Sequence, residues 1–113
     1  MPTRLTYAMN FVADMDRAIG FYRDVMGLEL KFQSPEWTEF STGETTLALH
    51  PASDQNPAGR VELGFGVDDI WEFHAMLSER GVTVTRPPRP EHGVILVSAL
   101  DSEGAQVTVS GLG

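Results

Sequence analysis

At 113 residues, with 42% hydrophobic side chains, eleven Gly and seven Pro, the chain has the apolar content for one compact domain and too little length for two. A formal net charge of −8 repels phosphate backbones and anionic lipid surfaces, so neither nucleic acid nor membrane is an expected partner. Cysteine is absent, which excludes disulfides, thiolate metal ligands and a cysteine nucleophile and leads us to expect a cytoplasmic protein.

The opening "MPTRLTYAMNF" has no long apolar stretch that would export or anchor the chain, and "YAMNFVAD" at 7–14 reads as a strand. Asp14 is the natural N-cap of a helix whose apolar stripe is Met15, Ala18, Ile19, Tyr22, Val25 and Met26. Gly27 supplies the permissive position past the helix end, and "LELKF" alternates as a strand with one buried face. "EWTEFS" and "GETTLALH" are further β-rich runs, followed by a polar, Pro- and Gly-bearing linker at about 51–59. The second half repeats the order. "ELGFGVDD" is a strand, Asp69 a cap, and Ile70, Phe73 and Leu77 a stripe; Gly81 ends the helix and "VTVT" is the next strand. "RPPRPEHG" reads as a rigid extended loop, before the β-rich "GVILVSAL" and "GAQVTVS".

The two halves superpose as text. Val12 lies over Val67, while Leu47, Ala48, Leu49 and His50 lie over Val107, Thr108, Val109 and Ser110. Each half therefore reads strand, helix, three strands, an internal βαβββ duplication in an α+β domain, with module 1 at about 3–50 and module 2 at about 60–110.

"FVADMDRAIGFYRDVMGLEL", "FGVDDIWEFHAMLSERGV" and the closing "DSEGAQVTV" resemble the vicinal oxygen chelate superfamily over essentially the whole chain. This is the group of glyoxalases, bleomycin-resistance proteins and ring-cleaving dioxygenases. The last motif departs from the usual D-P-D-G in carrying Asp101, Ser102, Glu103 and Gly104. The resemblance implies two βαβββ modules whose mixed sheets curl around a shared cavity, helices outside, and commonly a homodimer. It also implies a metal ligand on the first and last strand of each module. Those four positions here hold Tyr7, Ala48, Glu62 and Thr108, of which only Glu62 is a good ligand for a divalent ion. His50, two residues beyond Ala48 on the same side, is the other candidate, and the pair falls short of the three protein ligands a catalytic site uses.

Alternation sorts the strand residues. Leu63, Phe65, Val67, Leu47, Leu49, Val107 and Val109 form the helix-facing set, so Glu62, Gly64, Gly66, Ala48, His50, Thr108 and Ser110 belong to the opposite face with Tyr7, Met9 and Phe11. That wall is aromatic, small and sparsely polar, as sites for flat or greasy molecules are. Tyr7, Met9, Phe11, Trp37, Ala48, His50, Glu62, Gly64 and Thr108 are the candidate ligand-binding residues, and Glu62, His50 and Tyr7 the candidate acid, base or metal-holding groups. Each has a structural reading beside the functional one: Glu62 as a paired inner carboxylate, His50 as a backbone-bonded strand-end residue before Pro51, and Trp37 as a plug. His74 reads as structural and His92 as a loop residue, and no nucleophile elbow, triad, P-loop or dinucleotide fingerprint appears. Three functions fit these residues. The first is metal-independent binding of an apolar or aromatic small molecule, with no cofactor; the second is a lyase, isomerase or dioxygenase using Glu62 and His50 with or without a divalent metal; the third is an interaction module that has lost its pocket.

Overall fold

The computed structural model describes residues 3–112. One compact unit comprises Thr6–Val61 and the other the residues from Glu62 onward together with those before Thr6, so each carries nearly all of one copy of the repeat. Module 1 runs β1 (Arg4–Val12), α1 (Met15–Gly20), a π-helical turn (Phe21–Val25), β2 (Glu29–Gln33), β3 (Thr38–Ser41) and β4 (Thr46–Pro51). Its strands lie in the order β2-β3-β4-β1, with β1 parallel to β4 and β3 antiparallel to both neighbours. Module 2 runs β5 (Val61–Asp69), α2 (Ile70–Glu79), β6 (Val84–Glu91), β7 (Val94–Leu100) and β8 (Gln106–Leu112), in the order β5-β8-β7-β6 with β5 parallel to β8. Both modules are βαβββ, and the domain is α+β.

Alternation on the strands places one apolar face under each helix. In module 1, Val12, Phe40 and Leu49 meet Ile19, with Met15, Ala18, Tyr22, Leu28, Leu30 and Leu47 around them. In module 2, Val67, Val97, Ala99 and Val109 meet Ile70 and Leu77. Both helices start as the sequence predicts. The Asp14 side chain accepts the N–H of Arg17, and the Asp69 side chain accepts those of Trp71 and Glu72, each supplying partners for helix-start donors that have none within the helix. Both end at a left-handed glycine, Gly27 at φ +74° and Gly81 at φ +70°, a conformation that a Cβ disfavours.

Between those fixed points the copies differ in length. Twelve residues separate Asp14 from Gly27 (15–26) and eleven separate Asp69 from Gly81 (70–80). The extra residue is taken up by the π turn, where the N–H of Met26 reaches the carbonyl of Phe21. A wider turn rotates the side chains at its C-terminal end away from the stripe. Val25 and Met26, predicted on the buried side by a 3.6-residue period, are 71% and 56% exposed.

Two further expectations change. "RPPRPE" is not a loop: it forms most of β6, the last strand of its sheet, paired antiparallel to β7 with register shifts on either side of Arg86. An edge strand tolerates prolines because its outer N–H groups have no ladder to join. Leu63 is exposed, because α2 packs over β7 and β8 and the core cluster reaches only Phe65 and Val67 on β5. His92 stands as expected in the tight turn between β6 and β7, exposed and at φ +51°.

Candidate functional site

On the face of module 1 away from α1, the registers place Met9 beside Ala48 and Phe11 beside His50, and Ala48 beside Glu39. Four rings follow one another across it. Tyr7 and Trp37 lie with centroids 6.1 Å apart at 86°, Trp37 and His50 at 6.3 Å and 81°, and Phe11 and His50 at 5.4 Å and 65°. Edge-to-face geometry of this kind is the favourable arrangement for aromatic quadrupoles. Phe11 and Ala48 are buried, while Tyr7, Met9, Trp37 and His50 are half-buried.

Trp37 is held from two directions. Its backbone N–H donates to Ser34 Oγ at 3.0 Å and its carbonyl accepts from that hydroxyl at 2.8 Å, while its indole Nε1–H donates to Glu39 Oε2 at 2.8 Å. Lys31 Nζ stands 3.9 Å from the other oxygen of Glu39. His50 Nδ1 lies 2.9 Å from the carbonyl of Pro51, an oxygen that only accepts, so the neutral ring carries its proton there and Nε2 is its acceptor atom.

In module 2 the corresponding face is polar. Glu62 is buried and both carboxylate oxygens accept hydrogen bonds, Oε2 from Thr108 Oγ1 at 2.9 Å and Oε1 from Gln106 Nε2 at 3.1 Å. Thr85 Oγ1 donates to Gln106 Oε1 at 2.8 Å. Since the single hydroxyl proton of Thr108 goes to Glu62, the 3.1 Å contact between Ser98 Oγ and Thr108 Oγ1 has Ser98 as donor. Ser98 in turn accepts from Arg89 Nη2 at 3.5 Å. The line has one direction, from the guanidinium through two hydroxyls to the carboxylate. Gly64 is buried opposite Thr108 in the register.

The predicted residues therefore gather as two groups, Tyr7, Met9, Phe11, Trp37, Ala48 and His50 in module 1 and Glu62, Gly64 and Thr108 in module 2. The sequence reading missed Glu39, Ser34, Gln106, Ser98 and Arg89. Alternation pointed to Glu39, opposite Ala48, and to Gln106, two residues before Thr108. Arg89 was hidden by reading its segment as a loop. His74 is half-buried on α2.

Residues 4–108 match the family model described as Glyoxalase/Bleomycin resistance protein/Dioxygenase superfamily. The chain belongs to this superfamily. It is 30% identical to a lactoylglutathione lyase of Haemophilus influenzae across 97% of the chain and 98% of that protein. It is 31% identical to a probable lactoylglutathione lyase of Vibrio cholerae over 80% of the chain and 75% of that protein. Among solved structures, a superfamily member from Vibrio splendidus superposes with a TM-score of 0.79 at 14% identity, covering 97% of the chain and 99% of its own. The methylmalonyl-CoA epimerase of Mycobacterium tuberculosis superposes at 0.78 and 17% identity, covering 97% and 88%. Both show the fold.

The resemblance implies metal donors at the four positions that hold Tyr7, Ala48, Glu62 and Thr108. The donor set does not fit a resident ion. Ala48 has no donor atom, both oxygens of Glu62 take hydrogen bonds from the protein, and the Thr108 proton is committed to that carboxylate. Among the described residues no three His, Asp or Glu side chains cluster as a metal site would require. Likewise, no helix among them is long and apolar enough to cross a membrane.

Proposed function

We propose that this protein binds a small apolar or aromatic molecule on the aromatic face of module 1, without a metal cofactor, and works as a homodimer in the cytoplasm. The observation that carries the reading is the run of four rings, with Trp37 fixed in place by Ser34 and Glu39 before any ligand arrives. Preorganisation of this kind lowers the entropy cost of binding. His50 Nε2 offers an acceptor to a ligand that carries a donor. The homodimer rests on the resemblance and on exposed apolar side chains such as Val25, Met26, Trp71 and Leu112, and a species of monomer mass alone at micromolar concentration in sedimentation would overturn it.

The test uses tryptophan fluorescence. Trp71 is half exposed on α2 and would contribute its own signal, so the measurement is made in Trp71→Phe. A naphthalene-type compound is expected to quench Trp37 saturably, with the same affinity in EDTA as without it. Loss of binding in EDTA, or no saturable quenching across a panel of aromatic probes, would overturn the proposal.

A second reading is favoured by relatives at 30% and 31% identity that are named lactoylglutathione lyases or probable ones. In that reading Glu62 or His50 moves a proton in a lyase, isomerase or dioxygenase reaction. Turnover of a glutathione hemithioacetal with added Ni²⁺ or Zn²⁺, abolished by Glu62→Gln, would install it in place of the first.

A further inference from the structure

The duplication allows the two helix-to-sheet wedges to be compared position by position. In module 1 the N–H of Leu28, just past Gly27, bonds to the carbonyl of Tyr22; in module 2 the N–H of Val82, just past Gly81, bonds to that of Leu77. Tyr22 and Leu77 are therefore equivalent. The strand registers add a second pair, because Phe40 stands opposite Leu47 as Ala99 stands opposite Val107. In module 1 the rings of Tyr22 and Phe40 lie 6.0 Å apart, with Phe40 fully buried, and fill the wedge. Module 2 has Leu77 and Ala99 there, with no ring at either position, while Phe73 of α2 stands where module 1 has Ala18. At that spot lies a groove of about 540 Å³ walled by Phe73, Leu77, Val82, Ala99, Val107 and Val109. Val107 on its wall is only half-buried although its neighbour on the same strand face, Val109, is 3% exposed.

We propose that this groove is a binding site for a small neutral aromatic molecule of one or two fused rings, on the helix side of module 2 and so distinct from the face described above. The repeat suggests what fits: in the other copy the positions equivalent to Leu77 and Ala99 carry the aromatic rings of Tyr22 and Phe40. Its volume lies within the range of small-molecule pockets, and a ring that enters exchanges water for apolar contacts on several sides. The charged group on its lining is Asp101, whose Oδ1 already accepts the N–H groups of Glu103 and Ala105. That carboxylate disfavours an anionic aromatic.

The experiment is a titration of the intact protein with indole, followed through the methyl NMR signals of Leu77, Val82, Val107 and Val109. Saturable shifts of these methyls are expected, with indole-3-carboxylate bound about tenfold more weakly. Ala99→Phe, which restores the module 1 residue, is expected to abolish the shifts and to raise Tm. If that variant fails to fold, Val107→Phe on the half-buried wall makes the same comparison. No saturable shift at these methyls, or binding unchanged in the variant that fills the groove, would overturn the proposal. Methyl shifts that follow protein concentration without indole would overturn it too, by assigning the groove to a second copy of the chain.

Discussion

Each carboxylate oxygen of Glu62 has one protein donor, and the effect of removing a donor follows from burial. Thr108→Val keeps the shape, takes away the donor to Oε2 and leaves the Ser98 proton without its acceptor, so a loss of about 1–3 kcal/mol is expected in urea denaturation. Phe40→Ala, at a fully buried position, is expected to cost about 3–5 kcal/mol, and Phe73→Ala less than that, because Phe73 is half-buried beside the groove. At the module 1 face, Glu39→Leu removes the acceptor of the Trp37 indole; in the Trp71→Phe background its emission should move to longer wavelength as the ring loosens. An unchanged spectrum would show that Ser34 alone seats the ring. Which rings share that face was legible, since Tyr7, Phe11 and His50 follow from strand alternation alone. What pins them was not. The partners of Glu62 lie on β8, and a cross-strand register is decided by pairing that a linear pattern does not print, whereas those of Trp37, Ser34 and Glu39, lie within three residues and are chosen by side-chain geometry.

Helix limits were legible for a different reason: caps are local chemistry. Asp14, Gly27, Asp69 and Gly81 act through hydrogen bonds and dihedral angles within a few residues of themselves. Asp69→Ala removes the acceptor for two N–H groups and is expected to lower stability by about 0.5–2 kcal/mol in thermal or chemical unfolding. Val25→Ser, by contrast, should stay within about 0.5 kcal/mol, where the helical stripe read from sequence would have predicted a core truncation. The part of β6 from Arg86 on escaped because Pro87, Pro88 and Pro90 signal a break, and only the sheet reveals that the segment sits at an edge where prolines are harmless. At the far end of that module, a Cβ on Gly111 would lie 2.7 Å from the carbonyl oxygen of Val67. Gly111→Ala is therefore expected to shift backbone and to lower Tm, a constraint set by strand proximity that no turn signal announced.

For the whole molecule, duplication made the fold legible, because two weak readings of the same βαβββ order support each other and the superfamily match spans residues 4–108. The chemistry was less legible. The two copies differ on the faces away from the helices, one ringed with aromatics and the other threaded with hydroxyls, an amide and a carboxylate. Net charge acts at this scale as well. With −8 over the chain, an anionic aromatic probe should bind more weakly than its neutral analogue, and the gap should narrow as salt is raised from about 20 to about 200 mM. A gap that ignores salt would place the discrimination in a local contact.

The π turn after α1 gives module 1 a tolerance that module 2 lacks. Because one surplus residue is stored between two fixed ends, deleting a single codon anywhere from Arg23 to Val25 should relax the turn to an ordinary helix and leave Gly27 and the strands after it in frame. The same deletion in α2 has no slack to draw on and must pull either Asp69 or Gly81 out of place. A deletion scan read by soluble yield and Tm should thus separate the repeats, sparing 23–25 and penalising 71–79 throughout.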